Sequence, residues 1–317
     1  MNEQALDPLP AHIAYMPGSR MRRIGAFIID MLLLGVVGLS LVYLIPEIFD
    51  ALGRWSFMTG YLIAGLYFSI FDSTILTGQT IGKKVLNLRV VNRDGATIGL
   101  VSAAARFLLA LTPWFLNGRP FPADWLSQTV VLTALSILVF GLGASNLYLF
   151  FVTSTKQGLH DLLCRTFVVA VPMTTVTRKS IPKLHIVFVG FLLFLSLLIP
   201  SVASHFVSAT NQLEEMTAVQ RKIDKLDRIS YSAVTDMTTY NNDSQVTYIN
   251  IVLVKPLRST GDSKIAVEAC KIIKKFYPRA YDRDFINVQF SYGNDIGIAS
   301  YWENVQVLRV NRGHLCG

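Results

Sequence analysis

Long apolar segments constrain what this chain can fold into more than any other feature of its sequence. Four of them cover residues 24–45, 57–77, 125–152 and 184–206. Each approaches or exceeds the roughly 20 residues that a helix needs to cross a hydrocarbon core of about 30 Å. A fifth segment, residues 101–117, is shorter and contains Arg106 and Pro113. It either crosses the membrane or lies along its surface.

The distribution of basic residues gives these segments a direction. The chain is 52% hydrophobic and 16% charged, with a net charge of +8, and its positive charges flank the apolar segments. This pattern is typical of a multi-pass membrane protein in contact with lipid and does not indicate a nucleic-acid partner. If the N-terminus is cytoplasmic and all five segments cross, only Arg54 and Arg119 lie on short outer loops. With four spans, the basic loop 153–183 would lie outside, so we predict five.

The spans divide the chain into five parts. These are a cytoplasmic N-terminal segment (1–23), a membrane domain (24–171), a basic cytoplasmic linker (172–183), the fifth span (184–206) and an outward-facing domain (207–317). The last part combines helical spacing at 213–229 and 263–278 with a β-rich run at 245–254. Residues 285–310 predict a hairpin that turns near Gly293, Asn294 and Asp295. We therefore expect a soluble α+β domain.

Two of the three cysteines, Cys270 and Cys316, fall in this outward-facing domain. An oxidising compartment would allow a disulfide between them. The alternative is two unrelated cysteines, with Cys270 packed in a helix face. The sequence leaves both open.

Polar residues inside or next to the apolar segments are the candidate functional residues. Arg23 and Asp30 are seven residues apart, close to two helical turns, so they share a helix face and we predict that they pair. Counting about 1.5 Å per residue places further polar residues in the same cytoplasmic half. They are Asp72, Arg106, Asn146, His160 and Asp161. We expect this set to converge, because a lone ionised group in a bilayer costs several kcal/mol.

Two interpretations of this cluster remain open. In the first, its carboxylates bind monovalent cations and protons, and Asp72 carries the proton because no cation is near it in sequence. In the second, the cluster is a closed structural network, because an arginine so close keeps Asp30 ionised. His160 and Asp161 are adjacent and should point in different directions, and no nucleophile or metal-ligand motif accompanies them. We predict no catalytic residue, no metal site, no cofactor and no enzymatic activity.

The loop GQTIGKKVLNLRVVNRDGATIG joins the second and third spans. It is not a phosphate-binding loop, because its first two glycines bracket three residues where that motif requires four. The β-rich run from Val85 to Val91 and the turn pair Asp94–Gly95 predict a short hairpin. Basic residues would then face anionic headgroups, as a topology signal or as a specific lipid or phosphate site. These are Lys83, Lys84, Arg89 and Arg93.

Four of these features, in this order, resemble the RDD family of bacterial membrane proteins over roughly residues 15–171. They are Arg23 followed by Asp30, GQTIGKKVLNLRVV with DG, Arg106, and KQGLHDLLCRTFVV. The family is named for an arginine and two aspartates, which would correspond to Arg23, Asp30 and Asp161. Asp72 lies outside that pattern. The resemblance implies an α-helical multi-pass bundle in the bacterial inner membrane, with four RDD-type spans followed here by a fifth and by the C-terminal domain.

Two functions follow. The family resemblance implies a transport-related protein, with monovalent cation–proton exchange through Asp30, Asp72 and Arg23. The alternative is a non-transporting membrane anchor or envelope factor whose C-terminal domain binds a partner. Five spans are few for a secondary transporter and show no inverted repeat, so a transporter would need to form a homo-oligomer.

Overall fold

The structure is a computed structural model of the chain, which describes residues 13–126, 128–177, 180–208, 212–226, 228–241, 244–255, 259–314 and 316. Residues 1–12 of the predicted N-terminal segment, and Arg178 and Lys179 of the predicted linker, lie outside the described residues. The chain forms two compact units. Unit 1 contains Met1–Gly38, Met58–Arg119 and Thr129–Ser201, and unit 2 contains Leu39–Phe57, Pro120–Gln128 and Val202–Gly317.

Helices occupy all five apolar segments. The elements up to residue 208 are β1 (Ile13–Tyr15), α1 (Arg20–Leu44), α2 (Pro46–Leu52), α3 (Phe57–Phe71), α4 (Ile81–Val85), β2 (Leu88–Val91), α5 (Leu100–Leu116), α6 (Ala123–Leu126), α7 (Thr129–Ser136), α8 (Leu142–Val152), α9 (Leu159–Leu163), β3 (Phe167–Ala170), β4 (Thr175–Thr177) and α10 (Lys183–Ser208). Among the described residues, three helices are long and apolar enough to cross a membrane: Arg20–Leu44, Thr129–Val152 and Lys183–Val202.

Helices α3 and α5 are shorter, with 15 and 17 residues. They reach about 22 and 26 Å, less than a hydrocarbon core of about 30 Å. The helix in the predicted second span therefore covers only part of residues 57–77. It ends at Phe71, and Ser73 then accepts a hydrogen bond from the Ile75 N–H at the start of a 3₁₀ turn, Thr74–Leu76.

The fourth apolar segment contains a π-helical turn, Ile137–Gly141, between α7 and α8. A Cβ atom at Gly141 would lie 2.7 Å from Ser196 Oγ of α10. The missing side chain of Gly141 therefore lets α10 approach the π-helical turn closely.

The predicted hairpin between the second and third spans is wrong. Val85 ends α4, and β2 pairs antiparallel with β3, about 80 residues later, with Leu88 opposite Ala170. Asp94–Gly95 does form a turn, in which Asn92 Oδ1 accepts the Asp94 N–H at 2.9 Å. The β-rich run is therefore a strand, but its partner follows the fourth apolar helix.

The C-terminal part of unit 2 is a four-stranded sheet with two helices. In chain order the elements are α11 (Gln212–Ile223), β5 (Tyr231–Asn241), β6 (Ser244–Lys255), α12 (Asp262–Phe276), β7 (Phe285–Asp295) and β8 (Ser300–Asn311). The strands lie in the order β5-β6-β7-β8. Strands β6 and β7 are parallel and joined through α12, and the other pairs are antiparallel. On α12, the buried residues Ala266, Ala269, Cys270 and Ile273 have the i, i+3, i+4, i+7 spacing of one helix face, which packs into the core of this unit.

The predicted turn at Gly293, Asn294 and Asp295 is misplaced, because these residues are still in β7. The chain turns at 296–299, where the Ile296 N–H donates to the Ala299 carbonyl at 3.0 Å. Gly293 is needed in the strand because a Cβ atom there would overlap the carbonyl oxygen of Tyr301 on β8.

Two segments from the N-terminal part of the chain, Leu39–Phe57 and Pro120–Gln128, also belong to unit 2. Arg54 Nη2 lies 3.0 Å from Asp224 Oδ2, and Asn294 Nδ2 donates to Asp50 Oδ1 at 2.9 Å. Three aromatic rings from these two segments pack together: Trp55, Phe121 and Trp125. The connections after α1 and after α5 therefore fold together with the C-terminal domain.

A disulfide joins Cys270 to Cys316, with their Cα atoms 5.8 Å apart. Cys270 is buried in α12, so the bond attaches the end of the chain to the core of unit 2. Of the two alternatives that the sequence left open, the structure has the bonded pair.

We expect Cys316→Ser to destabilise unit 2 by about 2–4 kcal/mol, because the bond closes a long loop and restricts the unfolded chain. Thermal unfolding of the purified full-length protein, followed by Trp fluorescence, measures the loss. Reduction with dithiothreitol should lower the melting temperature of the wild type but not of the variant. The control is Cys164→Ser, which removes the free cysteine of unit 1. An unchanged melting temperature of the wild type on reduction would contradict a structural disulfide.

Candidate functional site

The carboxylate of Asp161 is fully buried between two arginines. Its Oδ2 is 2.8 Å from Arg23 Nη2, and its Oδ1 is 2.5 Å from Arg106 Nη1. The Gly158 N–H also donates to Oδ2, at 3.3 Å, because Asp161 lies in the first turn of α9, where backbone donors lack helical partners. Burial raises the pKa of Asp161, but the charges of Arg106 and Arg23 outweigh it and hold that pKa well below its usual range. Asp161 is therefore an ionised link between α1, α5 and α9.

The predicted pair of Arg23 with Asp30 is wrong. Arg23 extends away from Asp30: its Nη1 donates to the Lys156 carbonyl, and its guanidinium carbon lies 5.0 Å from the centre of the Phe150 ring. The end of α8 therefore offers Arg23 an aromatic face, and the segment after α8 offers it a carboxylate and a carbonyl. Asp30, about 10 Å further along the same helix, has other partners.

Asp30 is buried and binds the beginning of α4. Its carboxylate accepts hydrogen bonds from Tyr67 Oη at 2.6 Å, Thr80 Oγ1 at 2.6 Å and the Gly82 N–H at 2.8 Å. A Cβ atom at Gly82 would overlap the carbonyl oxygen of Ala26, so only glycine lets α4 come this close to α1. Asp30 therefore satisfies helix-end donors at a place where water is scarce.

Asp72 pairs with a lysine that the sequence placed elsewhere. Lys83 Nζ lies 2.5 and 2.7 Å from the two carboxylate oxygens of Asp72 and 5.6 Å from the centre of the Phe68 ring. The expectations that Asp72 has no cation nearby and that Lys83 faces the headgroups are both wrong. The first turn of α4 is hydrogen-bonded to Asp30. In this position its third residue, Lys83, lies next to Asp72, which directly follows α3.

Asn146 connects His160 to α5. Its Nδ2 donates to the carbonyls of Leu109 and Leu142 at 2.8 and 3.0 Å, and its Oδ1 accepts the backbone N–H of His160. Asn146 Oδ1 also lies 2.7 Å from His160 Nδ1, and because this oxygen only accepts, Nδ1 carries the proton. Burial lowers the pKa of His160, which lies in α9 beyond the span, to about 4, although the Asp161 carboxylate raises it. His160 is therefore neutral at pH 7, with Nε2 only 3.5 Å from Asp161 Oδ1 in spite of their adjacency in sequence.

A cavity of about 290 Å³ lies in unit 1 beside these contacts. Five of the seven predicted residues line it: Arg23, Asp72, Arg106, Asn146 and His160. Lys83 lines it too, and the remaining wall is apolar, from residues such as Phe27, Phe107, Leu111 and Phe150. Asp161 lies behind the two arginines, and Asp30 lies at the beginning of α4. Three carboxylates and three basic groups thus meet in one region of unit 1.

Several partners in this region were missed from the sequence. They are Tyr67, Thr80, Gly82, Lys83 and Thr166. Thr80 had a usable signal, because a Thr before a short helical run is a typical N-cap, and its side chain accepts the Lys83 N–H. Among the described residues, no group of three or more His, Cys, Asp or Glu side chains could hold a metal ion.

Long apolar helices linked by buried ion pairs define a helical membrane protein. Residues 17–165 match the model of the RDD family, so this part of the chain is an RDD domain, and an additional C-terminal region follows it. The chain is similar to the protein YckC of Bacillus subtilis (strain 168), which is described as uncharacterized, with 26% identity over 156 residues. This alignment covers 49% of the present chain and 85% of YckC. No solved structure matches the chain.

We expect Asp161→Asn to destabilise unit 1 by about 3–5 kcal/mol, because it leaves two buried guanidinium groups without their counter-charge. The melting temperature in detergent, followed by size-exclusion chromatography after heating, should fall strongly. The matched control is Asp94→Asn, at an exposed turn, which should melt like the wild type. Equal melting temperatures for the two variants would contradict a structural role for Asp161.

Proposed function

We propose that this protein is a non-transporting membrane anchor in the bacterial inner membrane, and that its C-terminal domain binds a protein of the cell envelope. One observation carries the proposal: every carboxylate of the buried cluster is already bound within unit 1. Asp161 has two arginines, Asp72 has Lys83, and Asp30 has three neutral donors. A cation exchanger needs a carboxylate that is available to its ion.

The composition of unit 2 supports an outward-facing C-terminal domain. The connections after α1 and after α5 fold with this domain, so all three lie on one side of the membrane. With α3 and α5 as full spans, an N-terminus in the cytoplasm puts that side outside. The sparse basic residues of both connections and the Cys270–Cys316 disulfide favour the same direction. The proposal includes no enzymatic step.

Cation–proton exchange is the second candidate, and the environment of Asp30 favours it. Among the described residues, Asp30 is hydrogen-bonded only by Tyr67, Thr80 and Gly82, and none of these donors is charged. Asp161 and Asp72 have ion-pair partners, whereas the donors to Asp30 are neutral, so Asp30 is the carboxylate of the cluster that an exchanged ion could neutralise. In this function the two ion pairs would hold the helices, Asp30 would carry the proton, and a homo-oligomer would form the path.

Photo-crosslinking in intact cells tests the anchor. A photoreactive amino acid is placed at exposed aromatic positions of the C-terminal domain: Tyr240, Tyr281, Tyr301 and Trp302. We expect a discrete protein adduct from one or more of these sites, because a bound partner covers part of that surface. The matched control positions are Leu62 and Leu66, exposed on α3, which should give lipid adducts only. Absence of any protein adduct from the four C-terminal sites would contradict the proposal.

Proton flux separates the two candidates. In everted vesicles that contain the full-length protein, we expect addition of Na⁺, K⁺ or Li⁺ to give the same flux as in empty vesicles, because each carboxylate of the cluster already has its partners within unit 1. Asp30→Asn and Asp72→Asn serve as matched variants at equal protein level. Cation-dependent flux that is lost in Asp30→Asn would overturn the anchor and establish exchange.

A further inference from the structure

The cavity of unit 1 has the size of a small ligand and extends along α5. Along α5 it is lined by Ala103, Arg106, Phe107, Ala110 and Leu111, which share one helix face over about 12 Å. Its volume of about 290 Å³ is at the lower end of the roughly 300–1,000 Å³ of small-molecule pockets. Beyond Arg106, the next turn of α5 contributes an apolar lining, from Ala110 and Leu111.

The charges that face this cavity are mostly positive. Arg23, Lys83 and Arg106 line it, against one carboxylate, that of Asp72. The Asp161 carboxylate, which balances the two arginines, is fully buried behind them and does not line the cavity. A cation in the cavity would meet three like charges, whereas an anion would be attracted.

Arg106 has an unused hydrogen-bonding edge at this place. Its Nη1 donates to both Asp161 and Thr166. Only 7% of the Arg106 side chain is exposed. Its Nε is buried and has no hydrogen-bond partner within the part of the chain that the structure describes. Buried donors without an acceptor are rare in native proteins. The Nε–Nη2 edge of an arginine fits two oxygens of a carboxylate or a phosphate.

We propose that this cavity binds an organic anion with a short apolar body. The carboxylate or phosphate accepts hydrogen bonds from the Nε–Nη2 edge of Arg106, and the apolar body lies along Phe107, Ala110 and Leu111. The Arg106 side chain then has one edge for the structural link to Asp161 and another for the ligand. The same head chemistry occurs in an anionic lipid or lipid fragment and in a small soluble acid.

Octanoate is a suitable probe, because it combines a carboxylate with an apolar chain in ten non-hydrogen atoms. Binding of labelled octanoate is measured on the full-length protein in nanodiscs of phosphatidylcholine, with empty nanodiscs as background. Unlabelled octanoate should displace the label, whereas octylammonium and octanol, which carry the same chain, should not. Two further measurements distinguish the sources of the anion. Weaker octanoate binding in the presence of inorganic phosphate indicates a soluble occupant, and weaker binding in discs that contain phosphatidylglycerol indicates a lipid.

Two variants locate the site. Ala110→Leu fills the apolar end while leaving every ion pair in place, and we expect it to weaken octanoate binding at least about tenfold by occupying the ligand's volume. Its matched control is Val101→Phe, on the same helix at a position that is 84% exposed, which should bind like the wild type. Arg106→Gln should also bind about tenfold more weakly, but it also disturbs Asp161, so Ala110→Leu is the decisive variant.

Three results would overturn the proposal. They are no saturable octanoate binding to folded wild-type protein, displacement by octylammonium or octanol as strong as by octanoate, and unchanged affinity in folded Ala110→Leu protein. Selective displacement together with loss of affinity in Ala110→Leu would establish an anion site in the RDD domain.

Discussion

A carboxylate buried among apolar helices must receive its partners from the protein, and this need determines which segments of unit 1 meet. Arg23 and Asp161 are separated by 138 residues, and Arg106 and Asp161 by 55. These bonds join the first apolar helix to the third and to the short helix after the fourth. Asp30 accepts a hydrogen bond from the first turn of α4, and Asp72 pairs with Lys83 of the same helix. A buried ion pair adds little net stability, but breaking one is costly, so such pairs select one helix arrangement over others.

The sequence predicted the helices of unit 1 well and their polar contacts poorly, for a physical reason. Apolar length and charge distribution are properties of single segments, and helices occupy all five segments that these properties marked. Pairing depends on where separate segments meet. Arg23 and Asp30 do share a helix face, yet the arginine side chain extends the other way because Asp161 is there. Lys83 looked like a headgroup contact, since nothing local shows that the N–H groups of α4 bind a carboxylate 52 residues earlier.

The same distinction applies to the strands. The β-rich run before Asp94–Gly95 is a strand, and the turn exists, but β2 has a long-range partner in β3. In unit 2, Gly293 predicts a turn because turns commonly need glycine. There it serves close packing of two strands, which only the position of Tyr301 reveals. The helical spacing of α12 was sufficient by itself, because its buried face follows from local periodicity.

The π-helical turn at Ile137–Gly141 has a consequence for comparing this chain with its relatives. Such a turn holds one residue more than an α-helical turn needs. A relative with a single-residue deletion here would keep Asn146 and the end of α8 in place, while every residue of α7 would rotate by about 100° around the helix axis. An alignment gap within these five positions would therefore mark a change in the face of α7 that meets its neighbours. It would also mark a change in whether a helix like α10 can pack at Gly141, even where the rest of the domain is unchanged.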